Sequence, residues 1–368
     1  MRAQFRLEFS IIFHSRLNLM LLLLLLGLFL MPLVPIPQKT SREYHAYFEE
    51  KIQQSDELQG QVHDEKFLSD YRQSLHEGEV AFQKDDVEAQ AQVLYRFQRL
   101  VVKATKAGQS VDGESLLRQK AKLVVIKEIV AKRTPYLGAT GRQAPAVNYF
   151  ANIFQSELAA LLIFVIMIAF LSGMFSNYEN ERTREFDSLV PLSAYPQILA
   201  KLCAYYITAI GGLLLAGGIV FLVMGMRNGF GYNRFPVVGS MDGQTVLLRS
   251  TGIYLARYLS ILSLTILALV LMVYLIAGIV WGGRSILLLA IAGLLFCFFG
   301  KNIFGINVPF FLSGYLDPNV MIVGDLSGAP SIYNQFSVAR KTLVIFINIL
   351  EFAVVGILIR RIRKIVRK

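Results

Sequence analysis

Between Asn152 and Leu202 an apolar stretch of span length, a charged segment and the start of a second long apolar stretch follow one another. The first reads ANIFQSELAALLIFVIMIAFLSGMF and the second SNYENERTREFDSLVPLSAYPQ. A charge at mid-bilayer costs about 2.5–3.5 kcal/mol on insertion scales. The charged segment must therefore leave the hydrocarbon between two spans. That alternation repeats along the chain and fixes its class: an all-α membrane protein with six transmembrane helices.

Composition sharpens this through its distribution. The 368 residues are 54% hydrophobic, only modestly above a soluble protein's share. Most apolar residues fall in runs of span length, whereas the block from about Ser41 to Arg142 is rich in Lys, Glu and Gln. The net charge of +11 raises nucleic acid as a partner. The excess sits at the ends of apolar runs and in the tail, which points to membrane lipids instead. Cys203 and Cys297 both lie in apolar runs, which argues against a disulfide framework or a structural zinc site. The four histidines show no metal-ligand spacing.

Taken in order, residues 1–16 carry Arg2, Arg6 and Arg16 among apolar side chains and read as an interfacial amphipathic helix. Residues 17–37 form the first span; Leu17 to Val34 is long enough as a helix for a roughly 30 Å core. A cleaved signal peptide is the rival reading, and the run's length without a small-x-small site disfavours it. Residues 38–150 form a soluble helical domain, with apolar residues at helical spacing (Val93, Leu94, Phe97, Leu100, Val101) and expected breaks at Gly78 and Gly108–Gly113. Asp112, Ser115 and Leu116 suit a helix start. Span two covers residues 151–176, and residues 177–197 form the charged connection. Residues 198–359 hold spans three to six, joined by an irregular polar loop (Arg227–Arg249), a short turn (Trp281–Arg284) and a Gly/Pro-rich loop (Pro309–Lys341). Gly211, Gly212, Gly217 and Gly218 in span three suit a close packing face. Residues 360–368 are a basic tail. With the N-terminus inside, thirteen Lys and Arg fall on inner flanks and six on outer ones, so the positive-inside rule gives N-in, C-in and an extracellular helical domain.

The connection carries the functional signal. Glu179, Glu181, Arg182, Arg184, Glu185 and Asp187 alternate in sign, as on a helix against water or protein. Leu189, Pro191, Ser193 and Pro196 then make a stiff turn. The stretch NYENERTREFDSLVPLSAYPQILAKL resembles the cytoplasmic loop of ABC-2 type transporter permeases, through Glu181, Thr183, Leu189, Pro191, Ser193 and Lys201. The family's usual glycine after the Glu/Thr pair is replaced here by Arg184–Glu185. The interfacial helix, the outer insert and the six spans match that family's layout from end to end. The resemblance implies a permease subunit of an exporter in the bacterial cytoplasmic membrane, handling a peptide, drug or other amphipathic substrate. It implies a second permease chain and a cytoplasmic ATPase subunit that holds ATP and magnesium. Glu179, Glu181, Arg182, Thr183, Glu185, Leu189, Pro191 and Ser193 would then couple to that ATPase.

This chain has no GxxxxGK[ST] phosphate loop; its glycine strings lie in apolar helix. No cofactor, catalytic residue or metal ligand is expected in it. The other classes rest on fewer residues. Glu157, Glu351 and Arg257 lie in or beside spans and are the intramembrane polar candidates, with Glu351 expected to find a partner inside the bundle. A proton-coupled secondary transporter would use Glu351, but broken spans around midplane charges are not evident. A receptor or scaffold with an outer sensing domain would carry a cytoplasmic signalling domain. An intramembrane enzyme would need paired catalytic side chains in its spans.

Overall fold

The computed structural model describes residues 5–6, 9–10, 15–31, 65–83, 87–108, 114–132, 144–178, 194–280, 282–304, 316–324, 326 and 337–366. Among these residues the chain is largely α-helical, with one two-stranded sheet.

The unbroken leucine run forms α1 (Arg16–Leu30). Ser15 starts it by accepting a hydrogen bond from Leu17 N at 3.2 Å, which satisfies one of the helix's open donors. Leu21, Leu25 and Phe29, one turn apart, are its buried face.

The charged block gives α2 (Glu65–Gln83), α3 (Val87–Lys106) and α4 (Leu116–Lys132). Both α2 and α4 pack on α3, and α4 also rests on β1 (Pro236–Gly239). The small core joins Phe67, Leu68, Tyr71 and Leu75 to Phe97, Val101 and Ala104; the Tyr71 and Phe97 rings lie 5.3 Å apart. The helix start read at Ser115 is present, its Oγ accepting from Arg118 N at 3.4 Å. Gly108, at φ 87°, ends α3 in a left-handed conformation that suits glycine. Gly78, expected to break the chain, instead lies within α2 and is buried.

A short helix, α5 (Ala146–Phe154), precedes α6 (Glu157–Tyr178). The sequence read one span across this junction. The polar pair Gln155–Ser156 breaks it, although the hydrophobic pattern on either side carries no sign of a turn. Then come α7 (Ala194–Asn228), β1, β2 (Leu247–Ser250), α8 (Thr251–Ile279), α9 (Gly283–Phe304), α10 (Pro318–Val323) and α11 (Val338–Val366). The region read as an irregular loop thus contains an antiparallel hairpin, with Val237 opposite Arg249. Its strands are four residues each, too short for an alternating pattern to register. Asp242 builds the connection, its Oδ1 accepting from Gln244 N at 2.9 Å and Thr245 N at 2.7 Å. Hydrogen bonds from the Thr245 hydroxyl and then these amides hold its carboxyl well below the usual carboxylate range.

Four helices, α6, α7, α8 and α11, are long and apolar enough to cross a membrane; α1 and α9 are shorter apolar helices. Their contacts show alternating directions. Leu17 lies against Gly173, while Phe29 meets Phe150 and Phe154 near the start of α6, so α1 and α6 are antiparallel. Leu21 faces Gly212 and Phe29 faces Gly217, so α7 runs with α1. Tyr258 stacks on Phe154 at 4.3 Å and Tyr274 lies 6.0 Å from Phe175, so α8 runs with α6. Gly283 touches Ser176, and Gly356 touches Tyr274, which orients α9 against α6 and α11 along α8. In α6 and α8, 61% of the apolar stretch is buried within the protein, against 33% in α7 and 28% in α11. The first two are the centre of the bundle.

Of the four glycines expected to pack, Gly212 and Gly217 do, while Gly211 and Gly218 face open space. The tightest approach is elsewhere. A side chain on Gly239 would overlap the Val323 carbonyl, and one on Gly324 would overlap the Ser240 carbonyl. Neither backbone atom can yield as the flexible tip of Leu21 can. We expect Gly239→Ala to destabilise the folded chain by about 1–3 kcal/mol, the usual range for overpacking. Gly212→Ala should cost less and Gly218→Ala almost nothing, read as melting temperatures in one detergent. Equal effects at all three would remove the clasp between β1 and α10.

Candidate functional site

The charged connection expected to couple to an ATPase, from Glu179 through Glu181, Arg182, Thr183, Glu185, Leu189 and Pro191 to Ser193, lies outside the described residues. Its two anchors are described. Tyr178 ends α6 and Ala194 begins α7. The directions established above put these anchors at the same end of the bundle as Arg16, the turn at Gly282 and the C-terminal turns of α11. Lys201, the basic residue of the same motif, sits two turns into α7 and is 5% exposed. Tyr205, one turn further, packs edge-to-face on Phe175 at 4.9 Å. The Tyr205–Phe175 contact thus joins the start of α7 to the end of α6.

The opposite end carries a network that sequence reasoning missed. Asp317 caps α10, accepting from Asn319 N at 2.8 Å. Tyr254 on α8 donates its hydroxyl to Asn319 Oδ1 at 2.9 Å, and Asn319 Nδ2 reaches the Gln155 carbonyl at 3.4 Å. The α5–α6 break, α8 and α10 thus share one side-chain amide. Arg249 on β2 donates from Nε to the Ile322 carbonyl at 3.1 Å. Burial, and then the nearby Arg257, push its guanidinium below the ordinary value. Thr251 Oγ1 donates to the Phe235 carbonyl at 2.8 Å, tying the hairpin to the start of α8.

The sequence places Lys341 in the loop outside the last span. It lies instead in the first turn of α11 and is 1% exposed. Its Nζ approaches the Met321 carbonyl at 3.5 Å and Met241 Sδ at 3.9 Å. Among the described residues no carboxylate lies within 4 Å of it. Two turns on, Asn348 is also buried and donates to the Val344 carbonyl at 2.9 Å. The spacing of Lys341 and Asn348 was the available signal: two polar residues seven apart share one helix face.

The intramembrane candidates do not come together. Glu157 is the first residue of α6, beside the break. Arg257 is exposed on α8, one residue before the buried Tyr258, near enough to Arg249 to act on its guanidinium. Glu351 corrects the expectation of a partner inside the bundle: it is exposed, among the exposed Ile347, Leu350, Val354 and Val355. The inward positions of its helix are taken by Asn348, Ile349 and Gly356. Cys203 and Cys297 are free thiols. Among the described residues no group of three or more His, Cys, Asp or Glu is placed to hold a metal.

No protein-family model, curated protein or solved structure matches this chain.

The Tyr254–Asn319 pair gives a direct test. Asn319→Leu strands a buried phenol and should cost about 1–3 kcal/mol. Tyr254→Phe should cost less. Combining the two should cost clearly less than their sum, because they share one interaction. A strictly additive cycle in denaturant titrations would show that the hydrogen bond does not hold α10 to α8.

Proposed function

We propose that this chain is the permease subunit of an ATP-binding cassette exporter, moving an amphipathic substrate across the bacterial cytoplasmic membrane. A separate ATPase subunit powers it. The observation that carries this reading is the common placement of the Tyr178 and Ala194 anchors, the start of α1, the α8–α9 turn and the basic end of α11. One end of the bundle gathers the two anchors of the charged connection and the basic flanks, and the other gathers the hairpin and the helical domain. In this reading α1 and α9 complete six spans, the first end is cytoplasmic and residues 38–150 are extracellular.

The mechanism follows from how the connection is anchored. ATPase closure pushes on residues 177–197. Tyr205, packed on Phe175, couples the start of α7 to the end of α6, so a push at the connection displaces both helices together. Since α6 is central, its tilt moves α8 directly through the Phe175–Tyr274 contact and, by way of α5, through the Phe154–Tyr258 stack and the Asn319 network at the far end. The spans thereby alternate access between the two sides. A proton-coupled transporter is the weaker reading, because Glu351, its best carboxylate, faces away from the bundle.

Purification of the chain from its own membrane in mild detergent should bring a stoichiometric nucleotide-hydrolysing subunit with it. The paired reversal Glu181→Lys and Glu185→Lys should lose that subunit, or its stimulation, while the permease keeps its melting temperature. A chain that purifies without any associated ATPase would overturn the proposal. Topology provides a separate check. With Cys203 and Cys297 replaced by serine, a membrane-impermeant thiol reagent should label Gln73→Cys in intact cells. It should label Asp187→Cys only after the cells are opened; the reverse pattern would invert the assignment.

A further inference from the structure

Glu351 lies thirteen residues into α11 and eight before the end of its apolar stretch at Ile359. At 1.5 Å per residue that is about 20 Å from one end and about 12 Å from the other, well inside a hydrocarbon core of roughly 30 Å. Its side chain points outward, and among the described residues no donor engages it. Facing lipid, such a carboxylate costs about as much as any residue a span can carry. Ionisable residues in spans almost always face protein or a water-filled cavity. The outward face of α11 therefore requires a protein cover at this depth.

The residues around Glu351 describe that cover. Leu343, Ile347, Glu351, Val354 and Leu358 are all exposed and recur at intervals of four, four, three and four. This spacing makes one seam along a helix, and a polar residue at a single seam position sets register between paired helices. It is also the face of the span that the chain covers least.

We infer that this seam is the contact between two copies of the chain, with α11 lying beside its symmetry mate. A carboxyl group is self-complementary: with one hydrogen between them, two of them form a donor and acceptor pair. A two-fold axis along the membrane normal brings the same residue of each copy to the axis. A second copy thus supplies at one position the polar partner and the apolar cover that Glu351 and its neighbours lack. The inference rests on the permease reading only for its membrane topology, and it names the surface through which two permeases would pair.

The test uses the full-length chain in lipid nanodiscs and native membranes, with Cys203 and Cys297 replaced by serine. Ile347→Cys and Val354→Cys should each give a covalent dimer on mild oxidation, whereas the buried Ile345→Cys should not. Energy transfer between labelled copies diluted in lipid should show Glu351→Leu weakening self-association by roughly tenfold, in keeping with loss of one interhelical hydrogen bond. Glu351→Gln, whose amide both donates and accepts, should retain it. Three results would each overturn the inference: cross-linking to a different protein, equal cross-linking from the buried position, or unchanged association of Glu351→Leu. Co-purification of the ATPase is scored in the same preparations. A chain that keeps the ATPase but does not pair through α11 refutes this contact alone. A chain that pairs without any ATPase refutes the exporter reading alone.

Discussion

In a hydrocarbon solvent the backbone must satisfy its own hydrogen bonds, and everything else in this structure is arranged around that demand. Apolar side chains allow α6 and α8 to sit at the centre, but they provide no contrast between lipid and protein. Close approach supplies the packing instead. Gly212 admits Leu21, Gly217 admits Phe29 and Gly356 admits Tyr274. The Tyr206 and Ser263 hydroxyls meet between α7 and α8, but several threonines within the spans turn back on their own helices, as Thr208 does to Ala204, Thr265 to Ile261 and Thr342 to Val338. That local bonding removes the penalty of an orphaned hydroxyl without joining one helix to another.

Interhelical bonding is concentrated at the hairpin end. There the chain is outside regular helix at Gln155, Asn233 and Asp317, and side chains must satisfy what the backbone cannot. Tyr149 donates its hydroxyl to the Phe29 carbonyl at the end of α1. Ala146 N and Val147 N bond the carbonyls of Gly229 and Phe230 just beyond α7. Phe29, Phe150, Phe154 and Tyr258 fill the space between them with ring contacts. The short helix α5 thus works as a wedge between α1, α7 and α8, and the α2–α4 domain stands on the same end through α4 and β1.

Much of this was legible before any coordinates. Apolar runs longer than a bilayer is thick located the helices, because length and composition alone determine which segments prefer hydrocarbon. Periodicity found the face of α3, where Val93, Phe97 and Val101 are buried, and Ser115 marked a true helix start. The misses have physical causes. The break at Gln155–Ser156 is hidden because both sides are equally apolar. Four-residue strands are too brief to show alternation. Lys341 looked like a flank because a lysine at the head of a run usually reaches water; burial by Met241 and the α10 backbone is a tertiary effect. Energetics within a single chain favour an inward Glu351, since an outward carboxylate is satisfied only by something beyond that chain. The motif from Glu179 to Ser193 is legible only as a resemblance.

The clasp between Gly239–Ser240 and Val323–Gly324 also bears on the order of assembly. Its halves are separated along the chain by all of α8 and α9, so β1 is synthesised well before the element that seals it. A lone two-stranded hairpin is marginal in water, and bare glycine backbone offers no side chain with which to hold a partner in advance. The hairpin therefore gains its lasting stability late, when α10 arrives and excludes water from the Ser240 and Val323 carbonyls. Because α4 rests on β1, the helical domain acquires its fixed seat at that same step, near the end of biogenesis.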